Sequence, residues 1–131
     1  MQFVRSSIGK KVLMAVSGLV WTGFVFGHMA GNLLMFVSPD LYNAYGHAIV
    51  HNKPLLYTAE TVLSLALVTH VITALLLSKE NMDARPVGYA ANAQGVKKPT
   101  LASQTMKYTG AIVLFFVVSH LFTFKYGPEY A

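Results

Sequence analysis

Polar residues thin out three times along this chain. From Val12 to Val37, Leu55 to Leu77 and Tyr108 to Phe124 the sequence is almost wholly apolar, and each stretch reaches the ~17 to 25 residues that cross a bilayer's hydrocarbon as a helix. The pattern predicts an all-α membrane protein, a single membrane domain over 1–131 with three transmembrane helices at about 12–37, 55–77 and 108–124. Ser6 or Ser7 is the expected N-cap of the first, and Ser38-Pro39 its stop. A basic start followed by apolar residues also opens a signal peptide, but a signal's apolar core spans only ~7 to 15 residues. The first stretch is longer, holds His28 in its interior and has no convincing cleavage site, so it reads as a retained helix.

Composition agrees with the pattern. Of 131 residues, 54% are hydrophobic and only 11% charged, and the mean hydropathy is +0.49, far from soluble-domain averages. The residue left outside the apolar stretches is too little for an independent soluble catalytic domain or a Gly-rich nucleotide fold. Chemistry must therefore sit in the membrane or on a partner. The net charge of +5 forms no patch with interleaved aromatics, which excludes a nucleic-acid surface. Arg5, Lys10 and Lys11 precede the first stretch, and Lys79, Arg85, Lys97, Lys98 and Lys107 separate the second from the third. The other two flanks carry only Lys53 and Lys125. By the positive-inside rule the N-terminus and the loop 78–105 are expected to be cytoplasmic. The absence of cysteine excludes thiolate metal sites, thioether-attached haem and disulfides.

Several smaller features stay open between structural and functional meanings. Gly23, Gly27 and Gly31 repeat every four residues, a face that admits either another helix or a flat cofactor. His47 and His51, also four apart, would share one face of a helix, as a metal pair or as interfacial groups of a short outer helix. Tyr42 and Tyr45 beside them favour the second. The basic loop 78–105, with Pro86, Gly88, Gly95 and Pro99, is either a docking surface or a solvated linker.

Each apolar stretch holds one interior histidine: His28, His70 and His120. Ionisable groups at membrane depth are costly unless paired, so each marks a functional position. With a rise of ~1.5 Å per residue, His28 and His120 both fall about 5 to 6 Å beyond the midplane toward the outside, and His70 about 4 Å toward the cytoplasm, a separation near 10 Å. Two imidazoles at one depth on helices running in the same direction can ligate opposite faces of one haem iron without any cysteine. Phe24, Gly31 and Asn32 lie one turn from His28, and Phe116, Val117, Thr123 and Phe124 one turn from His120, which suits a large flat apolar ligand. Ala66, Thr73 and Ala74 leave room beside His70.

In these residues the chain resembles the cytochrome b membrane anchor, of the dihaem b558 type, of bacterial succinate dehydrogenases and fumarate reductases. The similar runs are Ser6 to Leu19, His28 to Leu34, Asn43 to Tyr45, Ala84 to Tyr89 and Ala102 to His120, in order along nearly the whole chain. The resemblance implies five helices and four haem-ligating histidines, with the first and third helices sharing one haem b and the second and fourth the other. His28 and His120 would ligate the haem distal to the catalytic subunits, and His70 the proximal one. The segment through Ala131 matches three of the five helices, so a companion chain, or a continuation, is expected to bring the second proximal ligand. The implied partners are an iron-sulfur subunit and an FAD flavoprotein on the cytoplasmic face of the bacterial inner membrane, with menaquinone as the membrane partner. Electrons from succinate would run through iron-sulfur clusters and the two haems to quinone, a step tied to the tricarboxylic acid cycle, and fumarate reduction would reverse the path. Polarity and inferred depth mark Asn32, Tyr42, Tyr45, His47, His51 and Glu60 as candidate quinone contacts near the outer haem.

Two other classes use the same histidines. A proton or metal transporter would employ them as relay or ligands, although no acidic residue lies in the middle of any span and Glu60 sits near an end. A purely structural anchor would use them only to hydrogen-bond between helices.

Overall fold

The computed structural model describes residues 2–84 and 100–128, and within these every regular element is helical. The order is α1 (Gln2–Arg5), α2 (Ser7–Leu33) with a 3-10 turn at Leu34–Phe36, α3 (Pro39–His51), α4 (Lys53–Asp83) and α5 (Leu101–Phe124). Three segments are long and apolar enough to cross a membrane: Ser7–Phe36, Lys53–Asp83 and Leu101–Phe124. The chain forms two compact units, one holding α1 to α4 and the other α5.

Each of α2 to α5 begins at a side chain that accepts from an otherwise unpaired backbone N–H. Ser6 Oγ accepts from Gly9 N at 3.0 Å, Ser38 Oγ from Leu41 N at 3.4 Å, Asn52 Oδ1 from Leu55 N at 3.2 Å and Thr100 Oγ1 from Ser103 N at 3.1 Å. Pro39 and Pro54 occupy first-turn positions, where a missing N–H costs nothing. The helices therefore extend past the apolar stretches. α2 begins at Ser7 rather than near residue 12, α4 continues through Ser78 to Asp83, and α5 starts at Leu101 rather than Tyr108. Hydropathy marks where lipid starts, whereas hydrogen bonding carries a helix on through polar formers such as Lys79, Glu80 and Gln104. Much of the expected loop 78–105 is thus helical at its two ends. Its remainder, 85–99, with the basic residues Arg85, Lys97 and Lys98 and most of the Ala84 to Tyr89 run, lies outside the described residues.

In the first unit α2 and α4 pack antiparallel, held by polar contacts spaced along their length. At one end Lys10 Nζ donates to Glu80 Oε1, with the Lys10 side chain only 15% exposed. Further along, His70 meets Met14 and Ser17. Beyond that, the Trp21 indole N–H donates to the Leu63 carbonyl at 3.1 Å. Lys79 and Asp83 add an exposed pair at 2.6 Å within α4. Among the described residues the one buried hydrophobic side chain is Leu77, while Phe26, Leu65, Leu75, Phe115 and Phe122 are among many exposed ones. Apolar surface on that scale needs lipid or protein cover. Lipid gives no hydrophobic drive between helices, so small residues and polar contacts set the seam. The chain is a multi-pass, all-α membrane protein.

Replacing Glu80 by Ala strands a mostly buried Lys10 cation, so detergent-solubilised chain should lose about 1 to 3 kcal/mol in denaturant-induced loss of helicity. The double replacement Lys10→Met with Glu80→Gln should recover most of that loss. A single-variant loss below about 0.5 kcal/mol would instead place the pair among solvent-screened surface bridges.

Candidate functional site: the intramembrane histidines

His70 is the most completely built of the three positions. It lies half-buried on α4, facing α2. Its Nδ1 is 3.0 Å from the Met14 carbonyl oxygen and 3.2 Å from Ser17 Oγ. A carbonyl only accepts, so Nδ1 carries the proton and donates to it. Ser17 Oγ in turn donates to the Leu13 carbonyl at 2.7 Å, which leaves the oxygen's lone pairs toward the ring as a second acceptor. With a single proton on the ring, the lone pair therefore lies on Nε2. Gly18 makes the approach possible: a Cβ there would stand 3.2 Å from His70 Cε1, tighter than ordinary contact. One turn along α4 on the same face, Thr73 is buried and bonds back to the Thr69 carbonyl at 2.7 Å, so it needs no partner from outside.

His28 stands on an exposed face of α2, its ring stacked on Phe24 at 5.2 Å between centroids and 22° between planes. His120, in the second unit, has a matching neighbour: Phe116 stacks on it at 5.4 Å and 27°, and Phe124 lies at 4.9 Å. In both cases the phenyl ring precedes the imidazole by one turn, as the four-residue spacing dictates. His28 belongs to the first unit and His120 to the second. Within the first unit the levels of His28 and His70 are distinct. His70 packs at Gly18, and His28 lies ten residues further along α2, about 15 Å along the axis. That exceeds the ~10 Å drawn from polar boundaries. The boundaries assumed that the spans share a midplane, whereas the register is set by the contacts of Lys10 with Glu80 and Trp21 with Leu63.

The glycine face of α2 divides. Gly31 is buried under the Tyr45 ring of α3, and a Cβ there would fall within 2.5 to 2.8 Å of ring atoms. Gly31 therefore packs a tyrosine rather than offering space to a flat ligand beside His28. Gly23 and Gly27 have nothing within 4 Å of a built Cβ. The helix surface at these two glycines, flanking Phe24 and His28 on one side, is open.

The remaining candidates gather at the end of the unit where α3 joins α2 to α4. Asn32 Nδ2 donates to the His28 carbonyl at 2.7 Å, which turns its amide back onto its own helix. Tyr42 is half-buried on α3, and Glu60 half-buried on α4. His47 and His51 do lie on one helix face, with rings stacked at 3.6 Å and 20°. The His51 Nδ1–H donates to the His47 carbonyl at 3.0 Å. Among the described residues no three His, Cys, Asp or Glu side chains come together as a metal group, so these two would be a pair and no more. A separate groove of about 590 Å³ opens near the other end of the unit, between α1, α2 and α4, with Arg5 and Lys10 at one side and Leu13, Ile72 and Leu76 as walls.

Sequence reasoning singled out the histidines but passed over Ser17, Gly18 and Trp21, the residues that receive α4. A signal was present: Ser17 and Trp21 are polar-capable residues four apart in an apolar run, hence on one helix face. No family model, curated protein or solved structure matches this chain.

The two glycine environments separate by experiment. Gly31→Ala must displace Tyr45 and should cost about 1 to 3 kcal/mol of stability in detergent. Gly27→Ala meets nothing and should be neutral or gain up to ~1 kcal/mol from helix propensity. Equal effects at the two positions would mean that Tyr45 does not rest on Gly31.

Proposed function

We propose that the chain is the haem b-bearing membrane anchor of a succinate:quinone oxidoreductase, the dihaem b558 type that its sequence resembles. What carries the reading is one interior imidazole in each of three apolar helices, with the His70 Nδ1–H held on the Met14 carbonyl so that Nε2 is the nitrogen left for ligation. Haem iron takes axial histidine through such a nitrogen. His28 and His120 would hold the outer haem, with Phe24 and Phe116 beside the ligand rings and the open surface at Gly23 and Gly27 admitting a flat apolar group. His70 would hold the inner one together with a ligand from a further helix. Haem, when bound, supplies one-electron redox chemistry, while succinate and fumarate are handled by the flavoprotein. This chain's residues supply ligation, depth and a dry surrounding.

By the positive-inside rule the N-terminus and the basic 85–99 segment would lie on the cytoplasmic side of a bacterial inner membrane. There the iron-sulfur and FAD subunits would dock. The α3 end, with Tyr42, Tyr45, His47, His51 and Glu60, would face outward and meet menaquinone. Tyr45 can offer only the part of its ring not spent on Gly31.

A structural anchor is the second reading, favoured by one observation: His70 hydrogen-bonds across the α2/α4 seam without help from any ligand. Haem content separates the two. Membranes containing the assembled complex should give a reduced-minus-oxidised b-type haem spectrum. His28→Ala or His120→Ala should remove one haem and spare the other, and His70→Ala should do the converse. A complex without haem would leave the structural reading standing and sink the proposed one.

A further inference from the structure

We infer that Ser17 is a positioning residue for the His70 ligand, which with the Met14 carbonyl and Gly18 fixes the ring's tautomer and sets the reduction potential of the inner haem. The inference rests on the haem reading above and concerns how this chain controls that site. Three observations support it. Nδ1 has two acceptors on α2, the Met14 carbonyl at 3.0 Å and Ser17 Oγ at 3.2 Å. Ser17 is 5% exposed, so water cannot replace its hydroxyl. Its own proton is spent on the Leu13 carbonyl at 2.7 Å, which commits the oxygen to accept from the ring.

The consequence follows from charge. An N–H that donates to good acceptors shifts electron density into the imidazole, making Nε2 a stronger donor. A stronger donor favours ferric over ferrous iron and lowers the potential. Met14 cannot be varied for this purpose, because its contribution is a backbone carbonyl. Ser17 can be. Gly18 supplies clearance only: its missing Cβ lets the ring sit low enough on α2 to reach both acceptors.

The test uses the assembled complex in membranes, with redox titration of the two haems followed optically. Ser17→Ala and Ser17→Val should raise the potential of the His70-dependent haem by about three- to tenfold in the reduction equilibrium, ~30 to 60 mV at 59 mV per tenfold for one electron. The His28-dependent haem should not move. Ser17→Thr has the shape of Val but keeps the hydroxyl, and should stay near the parent value. In the reduced, diamagnetic state, 15N NMR of the parent should show a protonated His70 Nδ1. Unchanged potentials in Ala and Val variants that retain both haems would overturn the inference, as would an equal shift in Thr and Val. An unprotonated Nδ1 would overturn it independently of any variant. A parent complex with no haem would overturn the functional reading and this inference with it, whereas two haems with no shift would overturn this inference alone.

Discussion

Over most of the length of α2, α4 and α5 there is no water to hydrogen-bond, and that constraint decides nearly everything else. It requires helices, because only a helix satisfies its own backbone. It also governs the side chains. Ser17, Thr22, Thr61, Thr73, Thr109, Ser119 and Thr123 each donate to a carbonyl three or four residues back on their own helix. Among the described residues no buried side-chain nitrogen or oxygen lacks a partner. The groups that cannot satisfy themselves locally become the contacts between helices. Lys10, His70 and Trp21 are three such groups, and they lie in sequence along the α2/α4 seam. The seam contains little buried apolar surface, which is what a helix pair in hydrocarbon should show.

The spans were legible because burial in lipid imposes a length and a composition that sequence displays directly. Their ends were not. Apolarity stops at Leu77, but α4 runs to Asp83 because Lys79 and Glu80 are good helix formers and each finds a partner, Asp83 within the helix and Lys10 across the seam. Thr100 begins α5 by capping at Ser103, seven residues and more before hydropathy rises. The short helix α3 was legible in outline, since Ser38-Pro39, read as the stop of one helix, also caps the next.

The candidate site divides in the same way. Three interior histidines stand out in any apolar sequence, and that His28 and His70 lie at different levels follows from helical rise. Which nitrogen of His70 holds the proton does not, because it depends on a carbonyl of another helix. Nor does sequence spacing distinguish Gly31 from Gly23 and Gly27. One is filled by Tyr45 and two are open, and the difference lies in where α3 folds back over α2. The i,i+4 pairing of His47 with His51 was readable, but the bond from His51 to the His47 carbonyl shows a pair engaged with its own helix.

The seam and the candidate site are built from the same atoms. Fixing α4 on α2 requires the His70 N–H to find an acceptor, and on α2 the acceptors are a carbonyl and a serine oxygen. Either would hold the helices together. The carbonyl also assigns the proton to Nδ1, so the contact that satisfies the seam leaves the lone pair of a singly protonated ring on the opposite nitrogen. A histidine serving only as glue could use either nitrogen, and with a hydroxyl partner alone it could accept as well as donate. The Met14 carbonyl removes that freedom. Gly18 beside it provides the clearance that a larger residue would deny. The arrangement therefore fixes which nitrogen of His70 faces α2, and the proposed ligation through Nε2 draws on that same contact.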